Sequence, residues 1–156
     1  MFLSTAETGL DAKNRVSVPA DFRAQLSTDP QAAIYTFPHF HGPYLEGGGQ
    51  AFIDRYARDI RRLKRFDPMR RTMEVAVLGA TKRLDFDANG RVTLPRDFIE
   101  HAGIDKRVMF VGCGTRFEIW SAEAHEKRMG EARDRAASLI DDPEMAAMFG
   151  GEEDDE

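Results

Sequence analysis

The chain has 156 residues, of which 42% are hydrophobic and 31% charged, a composition that can form a core and that excludes a globally disordered chain. Its one cysteine, Cys113, excludes an intramolecular disulfide, and the sequence shows neither a signal-peptide pattern nor an apolar run of roughly 20 residues, so we expect an intracellular, cytoplasmic protein. The formal net charge of −5 does not exclude a nucleic-acid partner, because residues 141–156 hold eight acidic and no basic side chains, whereas residues 1–140 hold 22 basic against 19 acidic ones.

An internal repeat organises the chain. Residues 11–22, DAKNRVSVPADF, align without gaps on residues 87–98, DANGRVTLPRDF, at a constant offset of 76 and with seven identities in twelve positions. Chance does not readily produce such a match. We therefore interpret the chain as two tandem copies of one small unit.

Each copy predicts a turn, a short strand and a short helix, in that order. The segments Asp-Ala-Lys-Asn and Asp-Ala-Asn-Gly are turn sequences, because Asp caps a turn with its own carboxylate and Asn and Gly tolerate positive φ. An alternating strand with β-branched residues follows and ends at a proline, which cannot donate to a ladder. Asp21 and Asp97 then favour the positive starts of helices over residues 20–26 and 96–102.

Further strands and helices complete each half. Residues 33–37 predict a strand after the first unit, and residues 108–112 and 117–120 predict two strands after the second. Helical spacing of apolar residues predicts helices over residues 50–66 and 122–140. Because about 76 residues of short elements bury little apolar surface alone, we expect one compact pseudo-dimer, a mixed β/α and mainly β fold with flanking helices.

The predicted organisation has five segments. They are repeat 1 over residues 5–53, a basic helix and linker over 54–81, repeat 2 over 82–125, a C-terminal helix over 126–140, and an acidic, disordered tail over 141–156. The role of the tail stays open: it is either a solubilising segment or, as a hypothesis, a competitor of DNA for the basic surface.

Several groups of residues together resemble the MraZ family of bacterial transcription regulators, which contain two SpoVT-AbrB-type units. They are the two Asp-x-x-x-Arg segments at 11–15 and 87–91, the start Met1-Phe2-Leu3, and the run Gly112-x-Gly114-x-Arg116-Phe117-Glu118-Ile119-Trp120. One Asp-x-x-x-Arg segment would have no weight, but two at this spacing, with the Arg-Phe-Glu-Ile-Trp run, are specific. The similarity covers about residues 1 to 135.

The resemblance implies a double swapped-hairpin, AbrB-like barrel formed by the two repeats within one chain. It also implies a ring-shaped homo-oligomer that binds direct repeats in double-stranded promoter DNA. Its target would be the division and cell-wall gene cluster, including its own promoter, and its location the nucleoid. No enzymatic activity, cofactor, metal, membrane or small-molecule substrate is expected.

The predicted DNA-binding residues lie in the two turns and the short helices beside them: Lys13, Asn14, Arg15, Arg23, Asn89, Arg91 and Arg96. Arginine offers five N–H donors in a rigid fork that suits phosphate or guanine O6 and N7. Asp11 and Asp87 are assigned a structural role, because a carboxylate that faces phosphate is repulsive. The alternative is that Asp11–Arg15 and Asp87–Arg91 are merely ion pairs that hold the hairpins. We favour DNA contact by the first copy, because its turn contains Lys13.

Other features allow more than one interpretation. Residues 55–71 have a net charge of +6 and form either a further phosphate surface, an exposed helix face or an oligomer contact. His39 and His41 lack partners at a metal-site spacing, and Cys113 lacks a base partner, so neither a metal nor a nucleophile is predicted.

Three rival functions are weighed against DNA-binding regulation. The first is an AbrB-like antitoxin with a toxin-binding acidic tail, against which the fused second repeat argues. The second is an enzyme or ligand-binding barrel, for which the sequence has no phosphate loop, triad signature or zinc spacing. The third is a purely structural ring protein, which a failure to bind DNA would favour.

Overall fold

The computed structural model describes residues 1–28 and 32–149, so any prediction for residues 29–31 and 150–156, including the end of the acidic tail, lies outside the described residues. Met1–Ala122 forms one compact unit, and the chain from Glu123 onwards forms a second. The fold is mixed α/β with mainly antiparallel sheet; the described ranges contain eight strands, six α-helices and one π-helical turn. No described helix has the length and apolar character needed to cross a bilayer.

Two antiparallel sheets contain all the described strands. The larger sheet consists of β1 (Thr5–Gly9), β3 (Ala33–Pro38), β4 (Leu45–Gly48), β5 (Lys82–Asp85), β7 (Arg107–Gly112) and β8 (Phe117–Ser121). Its strand order is β1-β7-β8-β4-β3-β5. The smaller sheet is a two-stranded ribbon of β2 (Arg15–Ser17) and β6 (Arg91–Thr93). The strands predicted from the sequence are all present within one or two residues of their expected ends.

The strand order of the larger sheet is symmetric: replacing each strand by its counterpart in the other repeat gives the same order read backwards. β1 of the first repeat pairs with β7 of the second, just as β5 of the second repeat pairs with β3 of the first. β4 and β8, one from each repeat, meet at the centre. The first strand of each repeat therefore finds its hydrogen-bonding partner in the other repeat.

The short helices after the ribbon strands have the predicted bounds. α1 (Ala20–Leu26) begins after Pro19, and α4 (Arg96–Ala102) begins after Pro95. Each has an aspartate in its first turn, where a negative charge is favoured by the helix dipole. α4 ends at Gly103, whose φ of 62° gives a left-handed cap.

The helix predicted over residues 50–66 is too long. α2 (Gln50–Arg61) stops earlier, and α3 (Pro68–Met73) begins after Asp67, whose carboxylate accepts a backbone hydrogen bond from the new helix. Proline disfavours a helical conformation at the residue before it, and Asp67 is indeed extended with a ψ of 125°. A π-helical turn over Glu74–Leu78 follows α3.

The C-terminal part contains α5 (Ala122–Ser138) and α6 (Pro143–Phe149). α5 corresponds to the helix predicted over residues 122–140. The expectation of disorder from residue 141 is wrong for α6. Asp142 Oδ1 accepts the backbone N–H of Glu144 at 2.9 Å, and a proline at the first helical position is compatible with this start.

Both repeats contribute to one hydrophobic core. It includes Val16, Val18 and Phe22 from the first repeat and Val92, Leu94 and Phe98 from the second, each at most 3% exposed. Phe117 and Trp120 are also buried. Since neither repeat closes this core by itself, the ribbon, α1 and α4 depend on contacts across the repeat boundary.

Candidate nucleic-acid interface

The two predicted turns flank the β2–β6 ribbon. Arg15 pairs with Thr93 and Ser17 pairs with Arg91, on either side of a central valine pair. Successive side chains of a strand point to opposite faces, and both valines are buried while the four polar residues are exposed or half-buried. The ribbon thus presents four polar side chains outward. We call residues 11–17 and 87–93 together the paired-turn surface.

Each Asp-x-x-x-Arg segment is a turn held by its own aspartate. Asp11 Oδ1 accepts the backbone N–H groups of Lys13 at 2.9 Å and Arg15 at 2.8 Å, and its Oδ2 accepts the Arg15 Nε–H at 2.7 Å. Asp87 accepts the equivalent three bonds in the second turn at 2.8, 2.9 and 2.9 Å. The ion pairs of the alternative interpretation are therefore present. Each of these ion pairs engages the Nε of its arginine. The bond orients the guanidinium, and the terminal Nη groups lie outside it.

These bonds also keep both aspartates ionised. The pKa of Asp11 lies below its usual value, chiefly because the backbone N–H of Arg15 stabilises the carboxylate. The pKa of Asp87 is lowered in the same way by the backbone N–H of Arg91. Hydrogen bonds to the charged form favour that form, so a structural role for both aspartates is consistent with the geometry.

Backbone hydrogen bonds between the repeats fix the two turns relative to each other. Asn14 and Gly90 occupy equivalent positions, with φ of 61° and 72°, a region that glycine and asparagine adopt most readily. Leu94 N–H donates to the Asn14 carbonyl at 2.8 Å, and Val18 N–H donates to the Gly90 carbonyl at 3.2 Å. Each turn is thereby tied to the strand end of the other repeat.

Arg23 connects the first repeat to the turn of the second. Its Nε donates to the Val18 carbonyl at 3.1 Å, and its guanidinium lies so near Gly90 that a Cβ added there would collide with it. The equivalent residue of the second repeat is Ile99, which packs against the core. Arg23 therefore lies beside the turns as predicted, but it makes the two turns chemically unequal.

The remaining predicted residues are accessible. Lys13 and Asn89 are exposed at the tips of the turns, and Arg96 is exposed at the start of α4. Arg91 Nη1 also lies 3.8 Å from Asp11 Oδ2, an ion pair between the repeats. The structure thus brings the turn residues of both copies onto one surface.

A buried polar network that sequence reasoning missed lies in the larger sheet. Glu46 and Glu118 are direct neighbours in the β4–β8 pair, and Glu46 is 3% exposed. Tyr56 Oη donates to Glu46 at 2.6 Å, and His39 Nε2 lies 3.2 Å from the same carboxylate. Arg116 Nη1 lies 2.8 Å from Glu118 and 4.0 Å from Glu46. Like charges directly opposite in a sheet repel, so Arg116 compensates both carboxylates.

His39 belongs to this network rather than to a metal site. Its Nδ1 accepts the backbone N–H of His41 at 3.0 Å and the hydroxyl of Tyr44 at 3.1 Å, an arrangement that assigns the ring proton to Nε2, facing Glu46. Burial lowers the pKa of His39, against the opposing effect of the Glu46 charge. Across residues 1–28 and 32–149, no group of three or more His, Cys, Asp or Glu side chains is placed to hold a metal.

The fold and the paired-turn surface define a class of protein: a tandem-repeat β/α chain in which each half pairs strands with the other and two arginine-containing turns share one face. A family profile described as "MraZ protein, putative antitoxin-like" matches residues 77–149. A protein named "Transcriptional regulator MraZ" from Caulobacter vibrioides (strain NA1000 / CB15N) is 40% identical over 154 residues, 97% of this chain and 98% of the relative. The chain belongs to the MraZ family.

Two further relatives with the same name extend this comparison. The protein from Phenylobacterium zucineum (strain HLK1) is 43% identical over 136 residues, 87% of this chain and 84% of the relative. The protein from Rickettsia canadensis (strain McKiel) is 35% identical over 133 residues, 85% of this chain and 89% of the relative. The match to the Caulobacter vibrioides protein, over 97% of this chain, spans both repeats.

Proposed function

We propose that this chain is a sequence-specific, DNA-binding transcriptional regulator that contacts double-stranded DNA through the paired-turn surface. The observation that carries this proposal is the pair of arginine-containing turns fixed by hydrogen bonds between the repeats on either side of an exposed polar ribbon. A two-stranded ribbon fits the major groove of B-DNA. The relatives, which are named transcriptional regulators, share this chain's duplicated sequence over most of its length.

The chemistry of the surface suits this task. Arg15 and Arg91 are each oriented by an aspartate through Nε, and a guanidinium fork held in this way can donate two parallel hydrogen bonds to guanine or phosphate. Lys13 and Arg96 supply phosphate contacts that set the position of the protein without reading sequence. We place the principal contact in the first turn, because it contains Lys13 and because Arg23 lies against the turn of the second repeat.

The finer parts of the proposal concern architecture and target. The symmetric strand order supports a double swapped-hairpin barrel in which the repeats, residues 5–53 and 82–125, act as a pseudo-dimer. Family membership supports a homo-oligomeric ring that acts on direct repeats in its own promoter, within the division and cell-wall gene cluster. The protein would then act by binding, in the cytoplasm and at the nucleoid, without catalysis or a cofactor.

Fluorescence anisotropy tests this proposal. Labelled duplex from upstream of the protein's own gene is titrated across a salt series, with a scrambled duplex of the same composition as the reference. We expect saturable binding that prefers the upstream duplex and weakens with salt, because Lys and Arg displace counterions from phosphate. Absence of both the sequence preference and the salt dependence in the wild-type chain would overturn the proposal.

Substitutions then locate the contact. Arg15→Ala is expected to weaken binding to the upstream duplex by roughly tenfold to a hundredfold, the range for loss of one bidentate base contact. Arg15→Lys retains the charge but loses the fork, so it separates base reading from simple attraction to phosphate. Arg83→Ala is the matched control, because Arg83 lies on β5, outside the paired-turn surface, and its Nε pairs with Asp85 at 3.1 Å. An equal loss in Arg83→Ala would remove the assignment to the paired-turn surface.

A further inference from the structure

The connection from α2 through the π-helical turn exposes both basic and apolar side chains. Phe66 is 90% exposed, Met69 60% and Val75 54%. Exposed cations lie among them in the chain: Arg61, Arg62, Lys64, Arg65 and Arg71. The Arg65 guanidinium lies 5.6 Å from the centre of the Phe66 ring. We call these eight residues the arm surface. Contiguous exposed apolar patches mark interaction sites, and Phe66, Met69 and Val75 lie within ten residues of one another along the chain.

Residues 139–149 combine exposed apolar side chains with acidic ones. Ile140 is 73% exposed, Met148 70% and Phe149 77%. The charged side chains in this segment are all acidic: Asp141, Asp142 and Glu144. Because α6 begins at Pro143, part of this acidic and apolar segment is already helical and needs little further ordering on binding.

We propose that residues 139–149 of one copy bind the arm surface of a second copy of this chain. Exposed aromatic and methionine side chains on both partners would form the apolar centre of the interface, and opposite charges would form its rim, as in specific protein–protein contacts. The opposite sign of the two flanks favours this pairing over contact between two identical surfaces. A second copy always presents both surfaces, so no further component is required.

This arrangement determines how copies assemble. The two surfaces differ, so the contact is head-to-tail and each copy can bind two neighbours, closing into a ring or extending as a chain. The inference deepens the proposed homo-oligomer by naming the surfaces that would form it, and it rests on that part of the proposed function. It does not require the paired-turn surface, so DNA binding and self-association can be tested separately.

Charge reversal tests the pairing directly. Sedimentation of the full chain without DNA, over a protein concentration series at low salt, gives the dissociation constant of self-association. Arg62→Glu with Arg65→Glu reverses the arm surface, and Asp141→Lys with Glu144→Lys reverses the partner segment while leaving the cap of α6 intact. Each reversed chain is expected to raise the dissociation constant about tenfold or more, because attractive rim pairs become repulsive.

Recombination of the two reversals distinguishes pairing from a general loss of charge. A chain that contains both reversals, or an equimolar mixture of the two reversed chains, is expected to recover association, because opposite charges face each other again. Lys82→Glu with Lys106→Glu is the matched control: both lysines are exposed, and the change in charge is the same as in the arm reversal. Phe66→Ser and Phe149→Ser should each weaken association about tenfold or more through loss of the apolar centre.

Defined outcomes overturn this inference. The first is a wild-type chain that stays monomeric at all concentrations. The second is a pair of reversed chains that associate like wild type, or a control that loses association equally. The third is a cross-link between residues 139–149 and the arm surface that forms within single chains, independently of protein concentration. Parallel titration with the upstream duplex keeps the two proposals apart. Selective DNA binding without the reversal pattern refutes the docking alone, whereas the reversal pattern without selective DNA binding refutes the regulator alone.

Discussion

The guanidinium of Arg23, in the first repeat, lies against Gly90, in the turn of the second repeat. The pairing fits because glycine leaves the space that a Cβ would occupy. At the equivalent positions the chain has Ile99 and Asn14, so the first turn has a side chain of its own and its neighbour packs into the core instead. The two copies of the unit thus differ at both positions, and the two turns offer different chemistry.

Gly90→Ala tests this contact. The substitution places a Cβ at a φ of 72° and against the Arg23 guanidinium, and the left-handed conformation alone costs about 1 kcal/mol for a residue other than glycine. We expect a loss of roughly 1–2 kcal/mol in the free energy of unfolding, measured by urea titration, together with displacement of Arg23.

Gly103→Ala is the matched control for that substitution. Gly103 has a similar φ of 62°, but nothing lies within 4 Å of the added Cβ, so this variant should show the conformational cost alone. In a chain that already contains Arg23→Ala, the added cost of Gly90→Ala should equal the cost of Gly103→Ala in the wild-type chain. If Gly90→Ala alone lowers the free energy of unfolding no more than Gly103→Ala does, the Arg23 side chain moves aside without cost, and its contact with Gly90 does not contribute to stability.

The pH dependence of stability should reveal His39. Burial lowers its pKa below the usual 6.5, so between the two values the unfolded chain binds the proton more strongly than the folded chain. The stabilisation that neutral His39 gives the folded chain is complete above pH 6.5, and it is lost as the pH falls through the lowered pKa of the folded state. The free energy of unfolding should therefore decrease as the pH falls from about 7 to below the usual pKa of 6.5.

Two histidine variants test whether His39 causes this pH dependence of the free energy of unfolding. His39→Gln retains an N–H donor for Glu46 but does not titrate, so urea unfolding should lose the decrease over this window. His41→Gln changes an exposed side chain and should retain it. A His39→Gln chain with the wild-type slope would show that another group titrates.

Arg116 should hold the opposed carboxylates together. Arg116→Met removes the cation between Glu46 and Glu118, and thermal or urea unfolding should show a loss of about 2 kcal/mol. This magnitude lies below that of a fully buried pair because the Arg116 side chain is 36% exposed. Adding Glu118→Gln should recover much of the loss, because the remaining carboxylate no longer faces another.

A surface pair provides the comparison for Arg116. Arg83 and Asp85 have side chains that are 42% and 74% exposed, so Arg83→Met should cost less than about 1 kcal/mol. Equal costs in Arg83→Met and Arg116→Met, or no recovery with Glu118→Gln, would mean that repulsion between the opposed carboxylates is not what Arg116 relieves.

The shared core predicts one cooperative unfolding transition. Phe22 and Phe98 come from different repeats, are 2% and 1% exposed, and belong to one cluster. Replacement of either by alanine should cost about 3–5 kcal/mol. Trp120 fluorescence and far-UV circular dichroism should report the same midpoint in each variant. Separate transitions for the two signals would indicate independent repeats, and Leu3→Ala, at a side chain that is 61% exposed, should shift the midpoint little.

Local chemistry explains which elements were predictable. The Asp-x-x-x-Arg turns, the proline after each ribbon strand and the aspartate in each first helical turn all act within a few residues, so the bounds of α1 and α4 follow from them. The break of α2 before Asp67-Pro68 and the start of α6 after Asp142 are equally local. The apolar spacing over residues 50–66 and the acidic composition after residue 140 predicted otherwise, because each of these patterns averages over many residues and does not detect a local helix end or start.

The sequence by itself determined that this chain is duplicated, which residues turn, and where the polar side chains of the site lie along the chain. Only the tertiary structure decided that β1 pairs with β7, that Glu46 faces Glu118, and that Arg23 lies against Gly90. These relationships join residues separated by more than 60 positions, and no local propensity encodes them. They arise because each repeat leaves strand edges and apolar faces uncovered, and burial of those faces selects the partner that the other repeat supplies.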